Sequence, residues 1–470
     1  MKRLLLLAFA LHLFIYTLLA QSPCDTLRLS LSDALCMAKQ NNRAIGVAEQ
    51  GVAMARQDMH LLGSAWWPTI TLTGEALHTT TPIGLNRSIG ELSDGLMGEF
   101  EQLIEGNPML EEIITSVANA TVGIEFAPRN TASVGAEIMW PLFSGGKRIV
   151  ASRVGKLGVE LATTAQEGVQ NKVLCATTEA YLAVEVAQMG VEVCRKALNS
   201  SLEVVREAQC LEREGIINKA ERLSAEVGAA TLASELAGAQ SRLAVARASL
   251  GALLGVDTLY IVPTTPLGNI ESLPSKEFFL FSLDNNTSIR STQVEAQLAR
   301  EQLHINQSRY LPDVAIIGSH RLWSSGIDAG LVPRTFVGVG ATWTLFDGTA
   351  REQSIAKSRT LVRTAQLAEE QLRQQLTVEI EALYGQLAQA HLQLTAIDTT
   401  IALAEELVKT RRRAFVEGMA TSSEVMRSLV ELAEARLGRI TVLYEWNIAR
   451  AELFTLCGID IEQQTKQYGN

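Results

Sequence analysis

The chain has 470 residues and a net charge of −10, with 47% hydrophobic and 20% charged residues. So acidic a protein lacks the basic surface that nucleic-acid binding requires, and no nucleic-acid partner is expected. The six cysteines are scattered without the close spacing of metal ligands, so the sequence also predicts neither a metal nor a cofactor.

Residues 1–20 have the pattern of a secretory signal peptide. Lys2 and Arg3 precede an almost purely apolar run, and Ala20 supplies the small residue of a cleavage site. Removing two of the 41 basic residues leaves the mature chain a charge of 39 − 51 = −12. A retained anchor helix is the alternative for this segment. Further along, no segment is apolar enough for a membrane helix, so the exported chain is predicted to be periplasmic, secreted or a β-barrel.

Cys24 follows the predicted cleavage site and leaves two further alternatives open. Lipidation usually requires a small residue before the cysteine, where Pro23 stands in this sequence. A disulfide with Cys36 is the other alternative in an oxidising compartment. Three more cysteines lie on one predicted helix and cannot pair with one another: Cys175, Cys194 and Cys210.

One long unit occurs twice in the sequence, at an offset of 343 − 140 = 203 residues. Residues 140–148 read Trp-Pro-Leu-Phe-Ser-Gly-Gly-Lys-Arg, and 343–351 read Trp-Thr-Leu-Phe-Asp-Gly-Thr-Ala-Arg. The offset then holds without a gap to Gly255 and Gly458. An internal repeat of this kind decides the fold class. We divide the chain into repeat 1 at 21–262, a linker at 263–275 and repeat 2 at 276–470.

Each repeat is predicted to begin with a helix that a proline ends. A helix over Leu31–Met59, with Ser32 as its N-cap, precedes Pro68, and one over about 287–307 precedes Pro312. Apolar and polar residues then alternate in two segments per repeat, which is the pattern of strands with one apolar and one polar face. The four predicted strands are 69–78, 132–143, 313–323 and 335–346.

Strands of about ten residues with these two faces suit a membrane barrel with a wet interior. The third strand fits least well, because Ile317 and Trp323 fall on its polar side. Aromatic residues at the strand ends would lie at one level and form a membrane-interface belt. Core aromatics of a soluble sandwich are the alternative. The belt residues are Trp66, Trp67, Trp140, Tyr310 and Trp343.

A proline-free stretch follows each strand pair, from Lys147 to Leu211 and from Ala350 to Val416. As helices, each would span roughly 100 Å. Apolar residues in the second stretch step by four and three, which is a coiled-coil seam. We predict that Gly215 and Gly418 end the long helices and begin returning ones. The two resulting helical hairpins cover 147–255 and 350–458.

The strand pair at 68–143 is longer than that at 312–346, because an acidic insertion lies at about 81–130. Two short amphipathic helices are predicted in the insertion, around Leu103 and Ile113. If the insertion joins two membrane strands, it lies outside the cell. Two interpretations remain open, a lid over the outer opening and a surface loop.

Catalytic arrangements are missing from the sequence: it has no metal-spaced histidine pair, nucleophile elbow or complete phosphate loop, and we predict no enzyme. Gly145-Gly146-Lys147 is interpreted as a strand-to-helix turn. Four strands cannot close a barrel, since a minimal one needs about eight. The chain must therefore oligomerise if its strand edges lie in lipid.

The doubled order of helix, strand pair and long helical hairpin resembles the TolC family of outer-membrane efflux proteins, over about 27–460. Shared motifs are the proline before each strand pair, Leu-Phe-[Ser/Asp]-Gly after it and a tip glycine. The resemblance implies a mostly α fold with a small membrane β part. It implies a homotrimer in which a 12-stranded β-barrel in the outer membrane continues into an α-helical periplasmic tunnel.

The resemblance also implies partners and a function. The tips at Gly215 and Gly418 would dock on a periplasmic adaptor that connects to an inner-membrane transporter. The chain would be the exit duct for small molecules or polypeptides, in tripartite efflux or type I secretion. A periplasmic coiled-coil scaffold without channel activity is the alternative.

In that family, acidic side chains at the tip of the second repeat form rings that narrow the entrance. Glu424 matches one of these acids, and Glu221 is its equivalent in the first repeat. Arg427 stands where the second acid is expected. This departure leaves two alternatives open, a constriction of two acidic rings and a mixed Glu–Arg network. A plain solvated helix face is the alternative for Glu424.

Overall fold

The computed structural model describes residues 27–81, 83–88, 121–256, 260–270, 273–326 and 333–459. The predicted signal peptide, Cys24 and the two predicted helices of the insertion lie outside these residues. In chain order the elements are β1 (Leu27–Leu29), α1 (Leu31–Asn41), α2 (Arg43–Ser64), β2 (Thr69–His78), β3 (Ile83–Ser88), β4 (Thr121–Ala127), β5 (Asn130–Ser144), α3 (Lys147–Arg213), α4 (Lys219–Leu254), β6 (Ile261–Pro263), α5 (Lys276–Ser282), α6 (Thr287–Ser308), β7 (Asp313–Ser325), β8 (Thr335–Thr342), α7 (Ala350–Val416) and α8 (Ser422–Leu456).

The two long helices are present as predicted. Helices α3 and α7 each contain 67 residues, and their first residues, Lys147 and Ala350, lie 350 − 147 = 203 positions apart. Neither helix contains a proline, so nothing in the backbone interrupts the hydrogen-bond ladder. The described chain divides into a sheet unit, with residues 58–156 and 300–360, and a helical unit with the remainder.

The sheet unit contains four antiparallel strands in the order β2-β5-β7-β8. Ile70 pairs with Ile138, and Ile316 with Val339, so apolar residues share one face. Thr71 opposite Glu137 belongs to the other face. The apolar face is open: Val339 is 69% exposed. Strands β3 and β4, which were not predicted, form a separate antiparallel pair in the insertion.

Two details of the strand prediction were wrong. A bulge leaves Leu322 as an extra residue, because Gly135 pairs with Arg321 but Val134 with Trp323. Trp323 therefore lies opposite an apolar-face residue rather than on the polar face. Strand β8 also ends early, at Thr342, which pairs with Asp313. The residue before Asp313 is Pro312, which has no backbone N–H with which to continue the ladder.

The first helix also differs from its prediction. Its N-cap is Ser30 rather than Ser32: the Ser30 hydroxyl accepts from the Asp33 backbone N–H, and the Asp33 carboxylate accepts in return. This reciprocal pair is a capping box. The helix is interrupted at Asn42, whose amide donates to the Leu253 carbonyl. A break of this kind depends on a residue distant in sequence, and periodicity does not reveal it.

The helical unit is anchored around Tyr181, a fully buried residue of α3. Its hydroxyl donates to the Leu29 carbonyl at 2.9 Å and accepts from the backbone N–H groups of Thr264 and Thr265, at 3.0 and 2.9 Å. Strands β1 and β6 pair in parallel beside it and were not predicted. The Tyr181 hydroxyl thus connects the beginning of repeat 1, at Leu29, with the linker that follows repeat 1, at Thr264 and Thr265.

Replacing Tyr181 by Phe should lower the free energy of unfolding by about 1–3 kcal/mol, because the Leu29 carbonyl and the N–H groups of Thr264 and Thr265 lose their bonds to the buried hydroxyl. Heat unfolding in detergent, followed by circular dichroism, measures the effect. The control is Tyr384→Phe at the matching position, where the hydroxyl makes only a 3.4 Å bond to the Pro274 carbonyl. Equal losses in the two variants would contradict the anchoring role of Tyr181.

Candidate functional site

The first aromatic cluster lies where β2 begins and β5 ends. The Trp140 indole N–H donates to the Trp66 carbonyl at 3.1 Å. The Arg148 guanidinium lies 4.4 Å from the centre of the Trp66 ring and donates to the Leu142 carbonyl. Trp67 beside them is 74% exposed. The cluster therefore combines exposed indole surface with a cation stacked on an aromatic ring.

The second aromatic cluster repeats this arrangement 203 residues later. The Trp343 indole donates to the Tyr310 carbonyl at 3.0 Å, and the Arg351 guanidinium lies 4.0 Å from the Tyr310 ring centre. Arg351, only 6% exposed, also donates to the carbonyls of Thr344 and Leu345. The structure thus brings together four of the five predicted belt residues in two clusters.

Arg148 and Arg351 were not predicted as part of these clusters. Each ends one copy of the duplicated nine-residue motif, which was the signal available in the sequence. Arg351 donates to the Leu345 carbonyl, which lies between β8 and α7. Arg148 donates to the carbonyl of Leu142, a residue of β5 that has no partner in the β5–β7 register. Lys147 is the first residue of α3, and its ammonium lies 3.0 Å from the Asp313 carboxylate.

The two helical tips have the predicted glycine turns. Gly215 has φ 75° and Gly418 has φ 73°, a left-handed conformation that side chains disfavour. The next residue in each tip donates its N–H back into the helix, Ile216 to the Leu211 carbonyl and Met419 to the Ala414 carbonyl. These bonds define Schellman turns.

The apolar residues after both glycines are exposed, Ile216 by 52% and Met419 by 74%. The tips therefore present short turns with uncovered apolar side chains. Such side chains are candidates for contact with a partner.

Glu221 and Glu424 occupy matching positions but make different contacts. The Glu221 carboxylate accepts from both the backbone N–H and the hydroxyl of Ser422, at 2.9 and 2.7 Å. It thus caps the first turn of α8 from the neighbouring tip. Glu424 instead completes a capping box with Thr421 on its own helix. The two carboxylates thus accept from adjacent backbone N–H groups, those of Ser422 and Thr421, at the N-terminus of α8.

The pKa of Glu424 is lowered by a hydrogen bond from the Thr421 backbone N–H, then by one from the Thr421 side chain, and further by the charges of Arg411 and Arg427. Glu424 and Arg427 are both exposed. The carboxylate therefore stays ionised to lower pH than an unperturbed glutamate.

Ion pairs behind the tips were not predicted. The Arg412 guanidinium of α7 lies 2.6 Å from Glu207 and 2.9 Å from Glu203, both on α3. Arg222 of α4 pairs with Glu212 at the end of α3 and with Glu226 one turn along its own helix, both at 2.6 Å. The pairs of Arg412 join helices about 205 residues apart in the chain and leave no spacing signal in the sequence.

Within the described residues, no group of three or more histidine, cysteine or acidic side chains is arranged to hold a metal ion. In the same part of the chain, none of the helices combines the length and apolar character needed to cross a membrane. Cys36 is a free, exposed cysteine here. Its predicted pairing with Cys24 involves a residue outside the described ranges.

The fold is shared with solved channels. The structure of CusC matches with a TM-score of 0.72 at 15% identity, covering 92% of each chain. The CmeC outer membrane channel of Campylobacter jejuni matches with 0.70 at 14% identity, covering 94% of this chain and 89% of that one. Likeness at this identity concerns the fold alone.

A sequence relative is the cobalt-zinc-cadmium resistance protein CzcC of Cupriavidus metallidurans, 27% identical over 224 residues. That match covers 46% of this chain and 52% of CzcC, so it spans about half the relative's length. The pattern of the outer membrane efflux protein family matches more of the chain, at residues 34–256 and 282–459. The chain belongs to the outer membrane efflux protein family.

Proposed function

We propose that the chain is the outer-membrane exit duct of a tripartite export system. In this proposal three copies form a 12-stranded β-barrel that continues into a periplasmic helical tunnel. The duct receives its substrate from a periplasmic adaptor and an inner-membrane transporter. The observation that carries the proposal is a four-stranded sheet with an exposed apolar face, in a member of an efflux family.

Strand pairing supports assembly. Among the described strands, β2 and β8 each have one neighbour in the sheet, so each offers an open row of backbone groups. Unpaired backbone groups in hydrocarbon cost several kcal/mol each. Joining β8 of one copy to β2 of the next removes both open edges. Twelve strands leave room for a duct, whereas eight are filled by side chains.

The two faces of the sheet support its orientation. Ile70, Leu72 and Val337 are each at least 69% exposed on the apolar face, which suits contact with lipid. The other face carries Glu137 opposite Thr71 and Ser319, which suits a wet interior. The indole clusters at Trp66 and Trp343 would then lie at the membrane boundary, where amphipathic rings are favoured.

The tips support docking to the adaptor. Short glycine turns at Gly215 and Gly418, followed by exposed Ile216 and Met419, offer small apolar knobs on rigid helices. We assign Glu424 and Arg427 to the entrance and Glu221 to a link between the tips, since its carboxylate is already bound to Ser422. CzcC is a cobalt-zinc-cadmium resistance protein, and from this likeness we infer that the duct exports divalent metal cations.

Purified protein should have the native mass of three chains. Val339→Arg should lower trimer levels in the outer membrane, because a cation on a barrel's lipid face costs roughly 2–4 kcal/mol. Gly338→Arg is the matched control on the opposite face, where an added Cβ atom meets no other atom within 4 Å. Protein with the native mass of one chain, or equal loss in both variants, would contradict the proposal. A periplasmic scaffold would instead be recovered outside the membrane fraction.

Cells lacking the gene should become sensitive to zinc, cobalt or cadmium, and the native gene should restore growth. Gly418→Trp should fail to restore it at normal trimer levels, because a bulky residue obstructs the docking turn. Gly418→Asn is the control, since asparagine tolerates the left-handed conformation. Growth restored by both variants would contradict docking through this tip. Unchanged metal sensitivity in gene-less cells would contradict the substrate class alone.

Glu424→Gln should weaken channel block by multivalent cations in single-channel recordings, because it removes the charge but keeps the capping bond. Since the pKa of Glu424 is lowered, its charge disappears only as pH falls below the usual glutamate range. Block of the native channel should therefore persist at mildly acidic pH. The exposed residue Glu431 supplies the control, Glu431→Gln. Block unaffected by Glu424→Gln would assign this carboxylate to an outer face.

A further inference from the structure

The two aromatic clusters differ in how their charges are balanced. In the second cluster, the Arg351 guanidinium lies 3.6 Å from the Glu352 carboxylate, and the Arg309 guanidinium lies 3.5 Å from the carboxylate of Asp347. Glu352 also accepts a hydrogen bond from the Tyr310 hydroxyl at 2.9 Å. Each of these two arginines therefore has a carboxylate beside it, and the second cluster neutralises its own charge.

The first cluster has an arginine whose charge is not balanced in this way. The Lys147 ammonium beside it is paired with the carboxylate of Asp313. Among the described residues, no carboxylate pairs with Arg148, whose guanidinium stacks on the Trp66 ring and donates to the Leu142 carbonyl. A guanidinium has five N–H donors, so a single carbonyl leaves several of them available to another acceptor. The first cluster therefore carries one uncompensated positive charge.

A single position accounts for the difference between the clusters. The residue that matches Glu352 is Ile149, because 352 − 203 = 149. Residues 145–146 and 348–349 are both pairs with positive φ, between 59° and 85°, so α3 and α7 begin from turns of the same conformation. An acid at the position of Ile149 would thus reach the arginine of its own cluster. Ile149 is instead apolar and 56% exposed.

The surface around the Arg148 guanidinium is apolar with polar edges. Trp66, Trp67 and Trp140 are exposed there, and Ile149 is the next residue of α3. Indole rings are favoured at the boundary between lipid headgroups and acyl chains. A guanidinium binds phosphate oxygens through paired, charge-assisted hydrogen bonds. An unbalanced guanidinium among exposed indole rings thus matches an amphipathic anion, in which a phosphate is attached to acyl chains.

We propose that the first aromatic cluster binds the headgroup of an anionic phospholipid. The Arg148 guanidinium holds the phosphate, and the acyl chains lie against Trp67 and Ile149. This proposal rests on the membrane-embedded sheet of the proposed function and identifies a lipid that the sheet selects.

Charge decides which phospholipid the cluster prefers. A zwitterionic headgroup brings an ammonium group that requires an acid, and the carboxylate of Asp313 is already paired with Lys147. A headgroup with a net negative charge brings no such requirement and balances Arg148. Phosphatidylglycerol should therefore bind in preference to phosphatidylethanolamine.

Lipid binding to the purified, detergent-solubilised protein tests the site. Native mass spectrometry should count one phosphatidylglycerol per chain, bound roughly ten-fold more tightly than phosphatidylethanolamine, because only the first lipid leaves no unpaired charge. An excess of inorganic phosphate should not displace the lipid, since free phosphate lacks the acyl chains. Displacement by phosphate would assign the guanidinium to a soluble anion and overturn the lipid site.

Ile149→Glu is the sharpest variant, because it gives the first cluster the carboxylate that the second cluster has. It should weaken the binding of phosphatidylglycerol roughly ten-fold. The matched control is Ile149→Gln, which has nearly the same size without the charge and should bind as the native protein does. If Ile149→Glu lowers the amount of trimer, the preference of the native protein between the two lipids still decides the question.

The outcomes separate the lipid site from the duct. A native mass of three chains, with a preference for phosphatidylglycerol that Ile149→Glu removes, supports both. The same mass with equal binding of the two lipids, or with equal binding by the two variants, overturns the lipid site and leaves the exit duct standing. A native mass of one chain overturns the duct and the lipid site together.

Discussion

The backbone of a four-stranded sheet cannot satisfy its own outer edges. Strands β2 and β8 are the first and last in the order, and each exposes hydrogen-bonding groups on one side. Water satisfies such groups in a soluble protein, whereas hydrocarbon does not. In the proposed duct, neighbouring copies are the only partners with the right spacing. Closing the sheet and assembling the subunits are then one event. Contact between the apolar face and lipid becomes favourable only after the sheet has closed.

Matching positions in the two halves of the helical unit carry different side chains. Ala183, Val186 and Gly190 of α3 face an apolar wall of their own chain. Their counterparts on α7, three glutamines, face no wall within the chain. An exposed apolar patch on the monomer would favour aggregation before assembly, whereas amides stay hydrated. The two halves thus keep one backbone plan and differ where their neighbours differ.

Periodic features of the chain were predictable from sequence, and contact-dependent ones were not. Helices α3 and α7 were evident from long proline-free stretches, and the strands from alternation. The break at Asn42 depends on a bond to Leu253, and the shift at Leu322 on pairing with β5. Neither partner is near in sequence, so no local pattern encodes them. Arg148 and Arg351 were visible in the repeated motif, but their aromatic partners lie 82 and 41 residues away (148 − 66 and 351 − 310).

The tip carboxylates illustrate how far a family pattern constrains function. Glu221 and Glu424 are 203 residues apart, yet one binds the next tip and the other caps its own helix. Both lie at helix N-termini, whose positive end stabilises an anion and partly offsets its field. Arg427 lies about one turn further along α8 and is exposed, so it adds a positive charge close to Glu424. In the proposed entrance, Glu424 and Arg427 together carry no net charge. Attraction of cations at this tip therefore depends on whether the two side chains point in different directions. The number of acidic residues matters less than this geometry.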